Sequence, residues 1–225
     1  MLPLKICCML SLAEAEMAIA AGAHAVGLVA DNMPNGPGLI SDEIITGIAA
    51  TIRKTHDDRI WTTLLTSRTD GAGLADHVAA TGVNTVQIVD LPENGAYAKI
   101  RRDCPDVRII QVVHVEDDSA LAEAEEAAAH ADIILLDSGK PSAPERTLGG
   151  TGDVHDWSVS KRIVENIDKP VLLAGGLHPG NVADAMQAVR PWGVDLCSGL
   201  RDREAGYQLL PEKVRAFAEA LKPHA

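Results

Sequence analysis

"KPVLLAGGLHPGNVADAMQAV", residues 169–189, holds one whole structural unit. An uncharged run, Val171–Ala174, leads into a glycine pair. Pro179 then offers a helix start, and an alanine-rich amphipathic stretch follows. The run is apolar at consecutive rather than alternate positions. A strand reads this way when both its faces are covered, which is the condition of a parallel sheet. The unit is strand, tight turn, helix.

The same unit recurs along the chain. "LKICCM" (4–9), "HAVGLVA" (24–30), "RIWTTLLT" (59–66), "NTVQIVD" (84–90), "VRIIQVVHV" (107–115), "DIILLD" (132–137) and "GVDLCSG" (193–199) join "KPVLLAG" (169–175) as expected strands. Helical segments lie between them. Ser11 and Ser41 offer caps at helix starts, and Gly22 and Gly82 offer stops. Eight such units in 225 residues, with no linker between them, predict an α/β fold of the (β/α)8 barrel type, with residues 1–225 as a single domain. An open doubly wound sheet is the alternative. It would carry a glycine-rich dinucleotide turn after its first strand, where this chain has "CCMLS".

Composition narrows the function. A net charge of −12 argues against nucleic acid or an anionic membrane as partner. The apolar start is interrupted by Glu14 and Glu16, and no run approaches a membrane span. Cysteines 7, 8, 104 and 197 make no CxxC or zinc-like spacing, so free thiols in the cytoplasm are expected.

Barrel enzymes carry their chemistry at the C-terminal ends of the strands. The residues expected there are Cys7 or Cys8, Asp31, Arg68, Asp90, His114, Asp137, Gly175, Gly176, Ser198 and Gly199. The two glycine-bearing loops end the last two strands. With no side chain in the way, backbone N–H groups of Gly175, Gly176, Ser198 and Gly199 can cradle a phosphate despite the negative global charge; the plain alternative is tight turns. Asp137 shares a face with Ile133 and Leu135. At the mouth it suits a general acid if burial raises its pKa, or else it pins the loop that follows. Successive strand side chains point opposite ways, so Cys7 and Cys8 have different jobs. One can become a thiolate near Lys5 while the other packs as a small hydrophobe, or both are inert; parity alone does not choose. His114 with Glu116, and "DVHD" (153–156), lack partners at metal-binding spacing. No metal or organic cofactor is expected. Lys169 precedes its strand and Lys5 lies low in the first, which argues against a Schiff-base lysine.

"KIC" (5–7), "LD" (136–137), "GGTG" (149–152), "DWS" (156–158), "LAGGL" (173–177), "NV" (181–182), "VRPWGVD" (189–195) and "SG" (198–199) together resemble the phosphoribosylanthranilate isomerase family. The resemblance spans nearly the whole chain and is densest from 136 to 199. It implies a (β/α)8 barrel and a cofactor-free aldose–ketose isomerase, formally an intramolecular oxidoreductase. The implied step is the Amadori rearrangement of N-(5′-phosphoribosyl)anthranilate to the 1-deoxyribulose phosphate, in cytoplasmic tryptophan biosynthesis. It also implies that Cys7 is the general base, Asp137 the general acid, the "GG" and "SG" pairs phosphate ligands, and Cys8 packing at the family's glycine position. The implied partner is a phosphorylated small molecule, and the assembly a monomer or homodimer.

The match departs on the side that reads the aromatic acid. Gly38 stands where the family has a carboxylate-binding arginine. Val89 and Asp90 replace the histidine and glycine of "VQLHG". Arg68 or Arg146 is then the candidate substitute, with Asp90 near the same part of the substrate. Alternatives are a paralogue isomerising another phosphorylated sugar-like compound, and a non-catalytic phospholigand-binding barrel.

Overall fold

The computed structural model describes residues 3–34, 38–139, 155–202 and 206–222. Its strands are β1 (Leu4–Ile6), β2 (Ala25–Ala30), β3 (Leu39–Ile40), β4 (Trp61–Thr66), β5 (Thr85–Ile88), β6 (Arg108–His114), β7 (Ile133–Asp137), β8 (Val171–Leu173) and β9 (Gly193–Leu196). The helices are α1 (Leu12–Ala20), α2 (Asp42–His56), α3 (Gly71–Thr81), α4 (Ala96–Asp103), α5 (Ala120–Ala128), α6 (Trp157–Asn166), α7 (Val182–Val189) and α8 (Pro211–Leu221). The sheet runs β1-β9-β8-β7-β6-β5-β4-β2, and β1 pairs again with β2, closing a ring of parallel strands. All eight expected strands are present. The two-residue β3, from "GLIS", is an addition on the outer edge of β2.

Register decides which side chains enter the ring. Lys5 lies opposite Asp195, Gly27 opposite Thr63, Leu65 opposite Gln87, Val112 opposite Leu135, and His114 opposite Asp137. Side chains of this parity point inward. Cys7, Val29, Leu65, Val89, Ile110, Val112, Leu135, Leu172 and Ala174 form the inner apolar cluster. The alternate residues, among them Ile6, Val26, Leu64, Ile88, Leu136 and Leu173, pack under the helices in a second, larger core. Two cores back to back are why the strands read as unbroken apolar runs.

The helix ends follow from local chemistry. Ser11 Oγ accepts from Glu14 N (3.3 Å), and Asp70 does the same for Gly73 N (2.6 Å) at α3. Gly82 closes α3 at φ +65°, a conformation glycine adopts without steric cost. Ser41 stands at the start of α2 without a side-chain cap. Pro179 does not open α7: that helix begins three residues later, capped by position at Asn181. The intervening residues form a turn instead. Asn181 accepts from His178 N (2.8 Å) and donates to the Gly176 carbonyl (3.0 Å), tying the helix start to the glycine pair. No helix among the described residues is long and apolar enough to cross a membrane.

Among the described residues, two ion pairs are buried. Lys5 Nζ meets Asp195 Oδ2 at 2.9 Å inside the ring. The Arg201 guanidinium meets Glu14 Oε2 at 3.1 Å and also donates to the carbonyls of Cys7 (3.2 Å) and Tyr207 (2.7 Å). Glu14 accepts in addition from the N–H groups of Leu10 (3.0 Å) and Leu209 (2.9 Å). One carboxylate and one guanidinium thus fasten the segment after β9 to the segment after β1. Removing one member of a buried pair leaves an uncompensated charge, a loss of about 3–5 kcal/mol. Glu14→Ala should therefore lower the urea midpoint by that equivalent without changing the slope of the transition.

Candidate active site

Cys7 continues the ladder one residue past β1, its N–H donating to the Leu196 carbonyl at 2.8 Å. Its side chain takes the inward parity of Lys5. The sulfur fits only because residue 27 is glycine: a Cβ there would lie 2.6 Å from Cys7 Sγ. The thiol is almost fully enclosed, and burial pushes its pKa up to about 11. The Lys5 ammonium and the Arg201 guanidinium pull it down, while the Asp195 carboxylate opposes them. The sequence left open whether a cysteine here becomes a thiolate near Lys5 or stays inert. In the structure desolvation outweighs that cation, and the unliganded protein holds Cys7 as a thiol at neutral pH.

Cys8 leaves the strand at φ +67° and is disulfide-bonded to Cys197 with 6.2 Å between Cα atoms. This corrects the expectation that Cys8 is a free packing thiol and that no cysteines are bridged. Ring closure explains the link: β1 and β9 are neighbours, so residues just beyond their ends meet. Tyr207 Oη lies 3.3 Å from Cys197 Sγ. Cys7 and Cys104 remain free.

Asp137 ends β7 facing the mouth, partly exposed at the rim. Burial raises its pKa, and it does so against His114 and the Ser138 N–H, which favour the carboxylate. The carboxyl therefore keeps its proton further up the pH scale than an ordinary aspartic acid, as a general acid requires. Lys5 and Asp195 act electrostatically on both Asp137 and Cys7. The thiol and the carboxyl are consequently both within electrostatic reach of one ion pair. Asp195 Oδ1 is buried without a partner.

The glycine loops form one cradle. Gly175 and Gly176 have φ +80° and +62°. A Cβ on Gly175 would lie 2.9 Å from Ser138 Oγ and 3.0 Å from His155 Nδ1, and one on Gly199 only 2.2 Å from the Leu177 carbonyl. The "SG" loop therefore touches the backbone just after the "GG" pair, and a side chain at Gly199 would part them, while one at Gly175 would strike Ser138 and His155. Such bare, left-handed backbone suits N–H groups that hold an anion. His155, which the sequence offered only as part of a polar loop, stands behind Gly175. Its Nε2 lies 2.6 Å from Ser160 Oγ, and burial lowers its pKa to about 4, so the ring is neutral.

The carboxylate-reading candidates are placed differently. Arg68 is exposed, and its Nε donates to His77 Nδ1 (3.4 Å), whose other nitrogen faces Asp42 (2.9 Å). That chain leads toward α2 and α3. Asp90 follows inward-facing Val89 at the rim, accepting from the Leu91 N–H (2.8 Å). Asp31 is exposed after β2. Arg146 lies outside the described residues. Gly38 has φ +81°, and a Cβ there would lie 2.7 Å from Cys8 Cβ. The Cys8 side chain thus occupies the space next to Gly38.

Comparisons with known proteins agree with one another. Residues 76–220 match the family model described as N-(5′-phosphoribosyl)anthranilate (PRA) isomerase. An N-(5′-phosphoribosyl)anthranilate isomerase 2 from Methanosarcina mazei is 33% identical over 88% of this chain and 85% of its own. The N-(5′-phosphoribosyl)anthranilate isomerase of Halobacterium salinarum is 34% identical over 88% and 87%. Among solved structures, the phosphoribosyl anthranilate isomerase of Thermotoga maritima superposes with a TM-score of 0.79 at 25% identity, covering 99% of this chain and 100% of that one.

Alkylation of a thiol follows its thiolate fraction. The rate at which iodoacetamide labels Cys7 in the native protein should therefore keep climbing with pH through 9 and level off only near about 11. Mass spectrometry of the labelled peptide reads this directly. A plateau below pH 9 would show that the cations, not burial, dominate.

Proposed function

The chain belongs to the phosphoribosylanthranilate isomerase family, and we propose that Asp137 and Cys7 perform its Amadori rearrangement as general acid and general base. The enzyme is an isomerase of tryptophan biosynthesis, acting on N-(5′-phosphoribosyl)anthranilate. The phosphate binds the backbone N–H groups of Gly175, Gly176, Ser198 and Gly199, which fixes one end of the sugar across the mouth. Asp137 gives its proton to the furanose ring oxygen. The C1′–O bond breaks, and the nitrogen lone pair forms a protonated Schiff base at C1′.

That cation changes the condition of Cys7. A positive charge near the sulfur stabilises the thiolate, and it also acidifies the adjacent C2′–H. Both effects work against the burial that keeps the free thiol protonated. As the cation forms, the Cys7 thiol gives its proton to solvent, and the thiolate then takes the C2′ proton, leaving a neutral enolamine. Transfer of a proton from the C2′ hydroxyl to C1′ then gives the ketose. The base is thus made when the substrate cation arrives. Lys5 holds a positive charge close by throughout, secured by Asp195.

What supports this reading is that Cys7 and Asp137 both take inward positions within electrostatic reach of the Lys5–Asp195 pair, with the two glycine loops in contact beyond β8 and β9. With Arg68 engaged by His77, we assign the anthranilate carboxylate to Arg146, the other arginine that the sequence offers. A biosynthetic enzyme of this kind works in the cytoplasm, as a monomer or homodimer.

Turnover of N-(5′-phosphoribosyl)anthranilate, followed by the loss of anthranilate fluorescence, tests the assignment. Asp137→Asn and Cys7→Ser should each lower kcat by on the order of 10²–10⁴-fold, with KM little changed because the phosphate cradle is untouched. Near-normal kcat in either variant would remove that residue from its role.

A further inference from the structure

One polar group at the mouth has no part in the chemistry above. His114 ends β6, in register with Asp137 on β7 and on the same inward face. Its Nε2 lies 3.0 Å from the Val89 carbonyl. A carbonyl only accepts, so Nε2 carries the hydrogen and the neutral ring presents its lone pair at Nδ1. Nδ1 is buried and has no hydrogen-bond partner. A titratable nitrogen has been oriented by its neighbour strand and left open beside a carboxyl.

We infer that His114 is a positioning residue that returns the acid's proton, its Nδ1 protonating the Asp137 carboxylate left after ring opening. The inference rests on Asp137 being the general acid. The proton balance requires such a supply. Each turnover moves one proton from Asp137 to the ring oxygen and one from C2′ to Cys7, so the acid ends a turnover empty and the base full. Cys7 loses its proton to solvent. Imidazolium Nδ1–H gives one to Asp137, becoming neutral imidazole, and the ring regains a proton from water admitted to the mouth as product leaves, His114 being only partly buried as a residue. Protonated His114 also stabilises the Asp137 carboxylate while it exists, in keeping with its being the strongest influence toward the charged form.

His114→Gln separates this role from a structural one. The glutamine amide keeps the donor to the Val89 carbonyl but has no titratable nitrogen toward Asp137. The other ionisable groups nearby stay in place: Asp137 on β7, Lys5 on β1, Asp195 on β9, Asp90 after β5, and Glu116 beyond β6. We expect kcat to fall about 10-fold or more with KM nearly unchanged. A second variant, His114→Ala, should recover part of its kcat when imidazole is added. Wild-type kcat in His114→Gln, or no imidazole rescue of His114→Ala, overturns the inference. The Asp137→Asn result is read separately. Activity in that variant defeats the general-acid reading itself, whereas an inactive Asp137→Asn beside a fully active His114→Gln defeats only the role of His114.

Discussion

Inside the ring, the Lys5 ammonium and the Asp195 carboxylate meet at 2.9 Å with almost no solvent contact. An isolated charge at that depth would be strongly penalised, so each ion is stable only because the other is present. The pair joins the first and last barrel strands, which are the two that close the ring. It also sets the electrostatics of the floor beneath the mouth. Cys7 lies above one partner, Asp137 feels both, and neither can be moved without changing the charge seen by the other. A closed barrel makes this possible because its interior is fully walled while its upper rim stays open.

The same burial has opposite consequences for acid and base. Raising the pKa of a carboxyl keeps it protonated, ready to give a proton to the ring oxygen. Raising the pKa of a thiol keeps it unreactive until a cation forms next to it. The arrangement therefore imposes an order on the steps: ring opening creates the charge that then permits proton abstraction. Gly27 contributes by absence, since any side chain there would displace the sulfur.

Much of this was legible in the residues because strand parity and loop chemistry are local. Alternation in "DIILLD" placed Asp137 inward, and the glycines after the last two strands marked the cradle. What escaped were features produced by closure. Residues 8 and 197 are far apart in the chain, and only the β1–β9 pairing brings them together as a disulfide. The partner of Lys5 is equally remote. Pro179 read as a helix start, yet the turn tying Asn181 to Gly176 outweighed it. Whether Lys5 makes a thiolate of a neighbouring cysteine stayed open because sequence shows a nearby charge but not how much water has been removed. The replacement at 38 also gains meaning in three dimensions: Gly38 packs against Cys8, so the substitutions at those two positions are sterically linked.

The most direct test of the account is a crystal structure of this protein with the reduced product analogue 1-(o-carboxyphenylamino)-1-deoxyribulose 5-phosphate. The account requires Asp137 at hydrogen-bond reach, about 2.6–3.2 Å, of the oxygen that closes the furanose ring, with the phosphate on the two glycine loops. Cys7 Sγ must face C2′ from the β1 side in the same complex. A bound analogue whose C2′ turns away from Cys7, or whose phosphate lies elsewhere on the rim, would contradict it.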